Sequence, residues 1–355
     1  MPAAISRGQP LRGVRPLTDG GTNAANAVGA RTNLGVVLYD TTTIGAAYPA
    51  LGLSIILDAT ATRADVQTAL NTSNVETVYL RRGNYTWDNT TLTIPQGKSL
   101  IGLGSLTDNT GISSASVVIS YSGSSSNDFV DCAGSNRLAN IHFNFQSHTA
   151  TVGNVHAIQG ANSSGGHCYV DNCYVTGYAD NITTGAPNYA FYFVRATVTN
   201  CVAYDCSAGF LYQGHSNDLE LQTLIDSCNA SSCTFTTSGG GGFRGLGGRY
   251  QVRNCRSNDN ACDGFKEESG GGPWMYYNCY AFNNTLHGFR MIVTASSTIP
   301  CLITGSQAFN NDTGGMSMTS SGANASAIHS NAVGGNLVFG YETTNVDAYN
   351  NGVVS

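Results

Sequence analysis

Asp263, Lys266, Glu268, His287 and Arg290, joined by Arg244 upstream, form the densest set of ionisable side chains in a chain of which only 11% is charged. Three kinds of chemistry suit these types. Asp263 and Glu268 offer the two carboxyl groups that glycosidic hydrolysis needs, one protonated as acid and one ionised as base or nucleophile. His287 or Lys266 as base, with Arg244 or Arg290 holding a carboxylate, suits removal of the proton beside an acidic sugar's carboxyl group. The third option involves no reaction, because cations set close together also form surface ion-pair networks with Asp263, Glu267 and Glu268. The candidate catalytic residues are therefore Asp263, Glu268 and His287, and the candidate binding cations Arg244, Lys266 and Arg290. His215, Asp218 and Glu220, with Asp226 after them, make a second candidate group in a segment that lengthens its repeat and reads as a protruding loop. Trp274, beside Tyr276 and Tyr277, reads either as a platform for a sugar ring or as a core residue.

What positions these residues is a repeat of about 27 residues. A small polar residue followed by cysteine recurs at Asn172-Cys173, Asn200-Cys201, Ser227-Cys228, Asn254-Cys255 and Asn278-Cys279. Later in each repeat, glycine precedes a large apolar residue, at Gly209-Phe210, Gly242-Phe243, Gly264-Phe265, Gly288-Phe289, Gly315-Met316 and Gly340-Tyr341. Two columns kept in phase mean stacked coils of one solenoid. The coils are rich in Val, Thr, Tyr, Asn, Ser and Gly, with short apolar runs between turn formers, which selects strands over helices. Like residues should then stack about 4.8 Å apart. Val170, Val198, Ile225 and Val252 are expected to form an inward ladder, and Asn172, Asn200, Asn254 and Asn278 an amide ladder. Residues just after the inward aromatic should face outward, which puts Leu211, Arg244, Lys266, Arg290 and Ser317 in one row.

The eleven cysteines include three pairs with four intervening residues, Cys168/Cys173, Cys201/Cys206 and Cys228/Cys233. That spacing admits zinc or disulfides, but it is inherited from the coil, and free cysteine packs as a small buried hydrophobe. A structural ladder is the expectation, with no metal and no cofactor. The formal charge of -6 excludes a basic nucleic-acid surface, and no apolar run is long enough for a membrane span. Arg7, Arg12 and Arg15 are followed by no apolar run, so no secretory signal is expected, which fits synthesis in a bacterial cytoplasm.

Ala64 to Leu70 reads as a short helix that covers the first coil. The order of that helix, then Thr77-Val-Tyr-Leu with Gly83-Asn-Tyr-Thr86, then Leu92-Thr-Ile-Pro-Gln-Gly-Lys-Ser-Leu-Ile-Gly-Leu-Gly104, resembles the opening of the pectate-lyase-like right-handed parallel β-helix superfamily. The resemblance covers most of residues 60–350. It implies an all-β, single-stranded parallel β-helix with a small capping helix, and leaves the reaction open, since that superfamily hosts lyases, hydrolases, epimerases and binding proteins. Its calcium-dependent lyases use clustered aspartates, and no three-aspartate cluster stands out here. Residues 17–35, ending Ala30-Arg-Thr-Asn-Leu-Gly35, resemble a segment that recurs in bacteriophage tail-fibre and tailspike proteins. That resemblance implies a virion-anchoring adaptor at 1–50 that joins a tail protein, and a β-helix at 51–355 that meets a host cell-surface polysaccharide and as one option depolymerises it. It also implies a place in the phage tail and a homotrimer, in which identical neighbours cover the last coil, where no capping element is evident. The alternatives are a monomeric bacterial lyase, hydrolase or epimerase, and an adhesive solenoid without chemistry.

Overall fold

A computed structural model describes residues 36–38, 53–104, 116–150, 155–160, 166–178, 187–214, 223–236, 239–268, 274–293, 302–320, 327–332, 339–344 and 347–348. Residues 17–35 lie outside the described residues. Among those described, Arg63–Asn71 is the single α-helix, and the strands pair in parallel as a ten-stranded sheet and a 21-stranded set. The chain is a right-handed parallel β-helix. The helix is nucleated by a capping box in which Thr62 and Asp65 exchange hydrogen bonds, and it buries Val66, Ala69 and Leu70 against the first coil. The strand Val36–Leu38 pairs in parallel with Ser54 to Ile56, so the ladder reaches into the segment expected to be adaptor.

A repeating coil has three strands, as in Ala196–Thr199, Val202–Tyr204 and Ala208–Gln213. Two sharp bends separate them, and each bend residue has positive φ: Asn172, Asn200, Ser227, Asn254 and Asn278 at the first, Asp205, Ser232, Asp259, Asn283 and Asn310 at the second. Asn, Asp and Ser recur there because left-handed backbone is least costly for short polar side chains and glycine. Gly177 and Gly305 serve where the column lacks one.

The residue after each bend points inward and answers a hydrogen-bonding problem. Turning the chain leaves that residue's amide without a strand partner, and the same residue one coil on accepts from it. Cys201 N donates to Cys228 Sγ at 3.4 Å, Cys228 N to Cys255 Sγ at 3.5 Å, and Cys279 N to Ser306 Oγ at 3.1 Å. At the second bend Cys233 N donates to Asn260 Oδ1 at 2.9 Å, and Asn260, Asn284 and Asn311 continue as a buried amide ladder. The ten described cysteines are buried and unpaired, and burial pushes the Cys206 thiol up to about 12. Four-residue cysteine spacing is thus the distance between two bends.

Inside the bore, Val170, Val198, Ile225 and Val252 stack in register as expected. On the ten-stranded sheet Phe191, Phe210, Phe243, Phe265 and Phe289 stack nearly parallel, with successive centroids 4.6, 4.7, 4.8 and 4.7 Å apart. The glycine before each ring is a matter of space: a Cβ on Gly264 would sit 2.6 Å from the Gly288 carbonyl oxygen. The expected outer amide ladder is interrupted. Asn278 donates to Asn254, but Asn200 and Asn254 turn to Asp171 and Asp226, whose charge makes them stronger acceptors.

Truncating Phe243 to alanine removes a ring stacked on both sides and should cost about 3–5 kcal/mol in urea unfolding, while Tyr204→Ala on the exposed face should cost under ~0.5 kcal/mol. Equal effects would refute the stack as the core of the sheet. Burial lowers His142 and His156 from 6.5 to about 4. Between those values the unfolded chain binds the extra protons, so stability should fall as pH drops from 6.5 to 4, by up to about 3 kcal/mol per histidine. Urea midpoints that stay flat over that window would contradict the neutral, buried state of both rings.

Candidate functional site

Two side-by-side columns run along the outside of the ten-stranded sheet. One follows the inward aromatic: Asp131, Gln159, Tyr192, Leu211, Arg244, Lys266, Arg290 and Ser317 occupy equivalent positions on successive strands. The row expected from sequence is therefore in register and extends three more coils towards the N-terminus, through Tyr192, Gln159 and Asp131. The other column lies two residues before the aromatic and carries Asp128, His156, Tyr189, Ala208, Gly241, Asp263, His287 and Gly314. Between its two polar ends the face is apolar: Tyr189, Ala208 and Leu211 cluster apart from the bore, with Tyr192 and Leu246 against them.

The cationic end is an ion-pair network. Glu268 pairs with both Arg244 and Lys266, and Arg244 also donates to Tyr189 Oη at 3.1 Å and to the Gly239 carbonyl at 2.8 Å. Burial disfavours the charge on Glu268, but Lys266 and Arg244 outweigh it and hold the carboxyl below its ordinary value. Glu268 is therefore a fixed anion at neutral pH and a poor proton donor. Asp263 is 1% exposed and accepts from both the backbone N (3.0 Å) and Nδ1 (3.1 Å) of His287, one coil on, with Arg290 3.7 Å from its other oxygen. In the neutral ring, an Nδ1 that donates to Asp263 leaves Nε2 as a lone-pair acceptor. Arg290 lies three residues further along the same strand and is the most exposed cation of the group at 37%.

Several sequence expectations need correction. Lys266 occupies its outward row but is fully buried, so it neutralises Glu268 instead of meeting a ligand. Arg244 is engaged on three sides. Trp274 is 1% exposed and packs edge-on against Tyr276 at 5.5 Å inside the bore, so its ring cannot stack on a sugar. Asp226 sits at a bend on another face, paired with Arg253 at 2.8 Å. His215, Asp218 and Glu220 lie outside the described residues. Asp263, Glu268, His287 and Arg290 do come together.

The sequence pattern does not mark Asp128, Asp131, His156, Gln159 or Tyr192. In the first two of those coils the inward position holds Val130 and Ile158, so the glycine-aromatic signal is missing, although the spacing to the next phenylalanine would have found them. Among the described residues, no group of three or more His, Cys, Asp or Glu side chains is placed to hold a metal, and no helix is long and apolar enough to cross a membrane.

Comparison with known proteins agrees with this architecture. A family model described as a right-handed β-helix region matches residues 192–353. The catalytic domain of a GH87 α-1,3-glucanase, solved with tetrasaccharides, overlays with a TM-score of 0.53 at 11% identity, covering 88% of this chain and 71% of the glucanase chain. That likeness establishes the shared fold. Polygalacturonase from Erwinia carotovora ssp. carotovora (TM-score 0.42, 12% identity, 89% of this chain and 100% of that one) overlays more loosely. So does the ORF18 protein of Geobacillus virus E2 (TM-score 0.37, 14% identity, 82% of this chain and 58% of that one). No curated protein matches the sequence.

Breaking the network should expose its cost. Glu268→Gln leaves the Lys266 ammonium buried without its counter-charge and should destabilise the fold by about 3–5 kcal/mol, and adding Lys266→Met should restore most of that. A single substitution costing under ~1 kcal/mol would show that Lys266 is not held by Glu268.

Proposed function

We propose that this chain is the β-helix of a bacteriophage tailspike or tail fibre that binds an acidic host-surface polysaccharide and cleaves it by β-elimination. The observation that carries the chemistry is the buried Asp263 orienting His287, with Arg290 three residues along the strand. Arg290 neutralises the uronate carboxylate, which acidifies the neighbouring C5 hydrogen. His287 Nε2 takes that proton, the C4–O bond breaks, a C4=C5 double bond forms, and water protonates the departing oxygen. Asp263 is a positioning residue that fixes the tautomer and orientation of the ring. Hydrolysis by Asp263 and Glu268 is less well supported, because one is enclosed and the other is held ionised by two cations.

The phage assignment rests on residues 17–35 of the sequence together with the solenoid, and a trimer follows from the same plan. The fold shared with a glycan-cleaving catalytic domain is consistent with a polysaccharide ligand. Incubation with capsular and exopolysaccharides containing uronic acids should generate the ultraviolet absorbance of a conjugated double bond. His287→Ala should reduce the rate at least 100-fold with the fold intact, and Arg290→Ala should raise KM more than it lowers kcat. New reducing ends without that absorbance would replace elimination with hydrolysis. Light scattering that finds a monomer would favour a stand-alone bacterial enzyme.

A further inference from the structure

The other polar end of the same face presents different chemistry. Asp128 and Asp131 lie three residues apart on one coil, half-buried, and burial raises both above the ordinary carboxyl range, with Asp131 adding to the effect on Asp128. Asp128 accepts from the backbone N of His156 at 2.6 Å, the same link that joins Asp263 to His287. Asp131 has no ion-pair or hydrogen-bond partner among the described residues, so nothing in the described protein offsets its desolvation.

His156 is 4% exposed, and its Nδ1 accepts from the Tyr189 backbone N at 3.3 Å. The ring proton is therefore on Nε2, which has no acceptor among the described residues. The ring rests 4.8 Å from that of Tyr192, and Gln159 stands between Asp131 and Tyr192 in the neighbouring column. A neutral imidazole donor, two carboxyl acceptors, a primary amide and a tyrosine ring on one rigid face match a ligand rich in hydroxyls with an apolar ring face. They do not match an anion, which the carboxyls would repel, nor an ammonium group, which would face the Nε2 proton.

Resting on the reading of the cationic end as an acidic-sugar site, we infer that Asp128, Asp131, His156, Gln159 and Tyr192 form a second subsite for an uncharged sugar of the same glycan. The ligand would lie along the solenoid axis. Gln159 and Arg290 are separated by five coil steps, about 24 Å at the parallel-strand spacing, so the two ends take different residues of one heteropolymer.

The test uses the full chain on an array of oligosaccharides, some built only of uronates and some combining uronates with neutral hexoses. Asp131→Ala and Gln159→Ala, both on partly exposed positions, should weaken binding to the mixed oligosaccharides by about tenfold or more and leave uronate-only binding unchanged. Arg290→Ala should weaken both kinds. Mixed-glycan binding that is indifferent to Asp131→Ala and Gln159→Ala but lost in Arg290→Ala would overturn the second subsite and keep the first. Binding of neutral or mixed glycans that ignores all three substitutions, or no binding at all, would overturn both.

Discussion

The constraint on which everything else rests is the turn at the end of each strand. A parallel solenoid must bend its chain twice per coil without leaving buried amides unpaired, because an unsatisfied buried donor costs about as much as several good packing contacts gain. Here the solution is a left-handed residue followed by an inward thiol, hydroxyl or amide that accepts from the coil before it. That pair of requirements sets the composition. It explains the asparagines and aspartates at the corners, the buried cysteines behind them and the low fraction of charge. It also fixes the register from coil to coil, so that every column on the outer faces is a consequence of where the bends fall.

Charge enters this frame at high energetic stakes. A buried lysine and a half-buried arginine share one glutamate, and an aspartate almost without solvent contact is relieved by a histidine and an arginine from the next coil. Glu267, between Lys266 and Glu268 in sequence, points the other way into the bore, where a Cβ at Gly245 would overlap its carboxylate and the Tyr250 hydroxyl. The strand Phe265–Glu267 is therefore tied on both faces by polar groups, and the ionisable side chains it carries have little freedom to relax. Such rigidity suits a site whose groups must be placed before a ligand arrives.

Much of this was legible in the sequence, for reasons that differ by element. The columns were visible because glycine before phenylalanine and asparagine before cysteine answer steric and hydrogen-bonding demands that recur identically in each coil. The facing of Lys266 followed from strand alternation, but its burial did not: it depends on Glu268, two residues on, whose carboxylate also pairs with Arg244 of the preceding coil. Trp274 was ambiguous because its neighbour Tyr277 is half-exposed while Trp274 itself, one strand alternation away, lines the bore. The Asp128 to Tyr192 stretch escaped because Val130 and Ile158 fill the bore in two coils in place of phenylalanine, and in the third Ala190 stands where glycine would precede Phe191. Where an aspartate precedes the corner residue, as Asp171 does Asn172 and Asp226 does Ser227, a local charge overrode the expected amide ladder at Asn200 and Asn254.

The stacked phenylalanines and the inter-strand hydrogen bonds share one direction, the long axis of the molecule, while the covalent chain winds around it. Mechanically this makes the solenoid anisotropic. A push along the axis loads ring against ring and coil against coil, contacts that are already at van der Waals distance and stiffen at once. A pull along the same axis meets only hydrogen bonds and dispersion arranged in series, so coils should peel from an end one at a time, each releasing about 27 residues of slack before the next is stressed. The column is built as a strut, not as a tether.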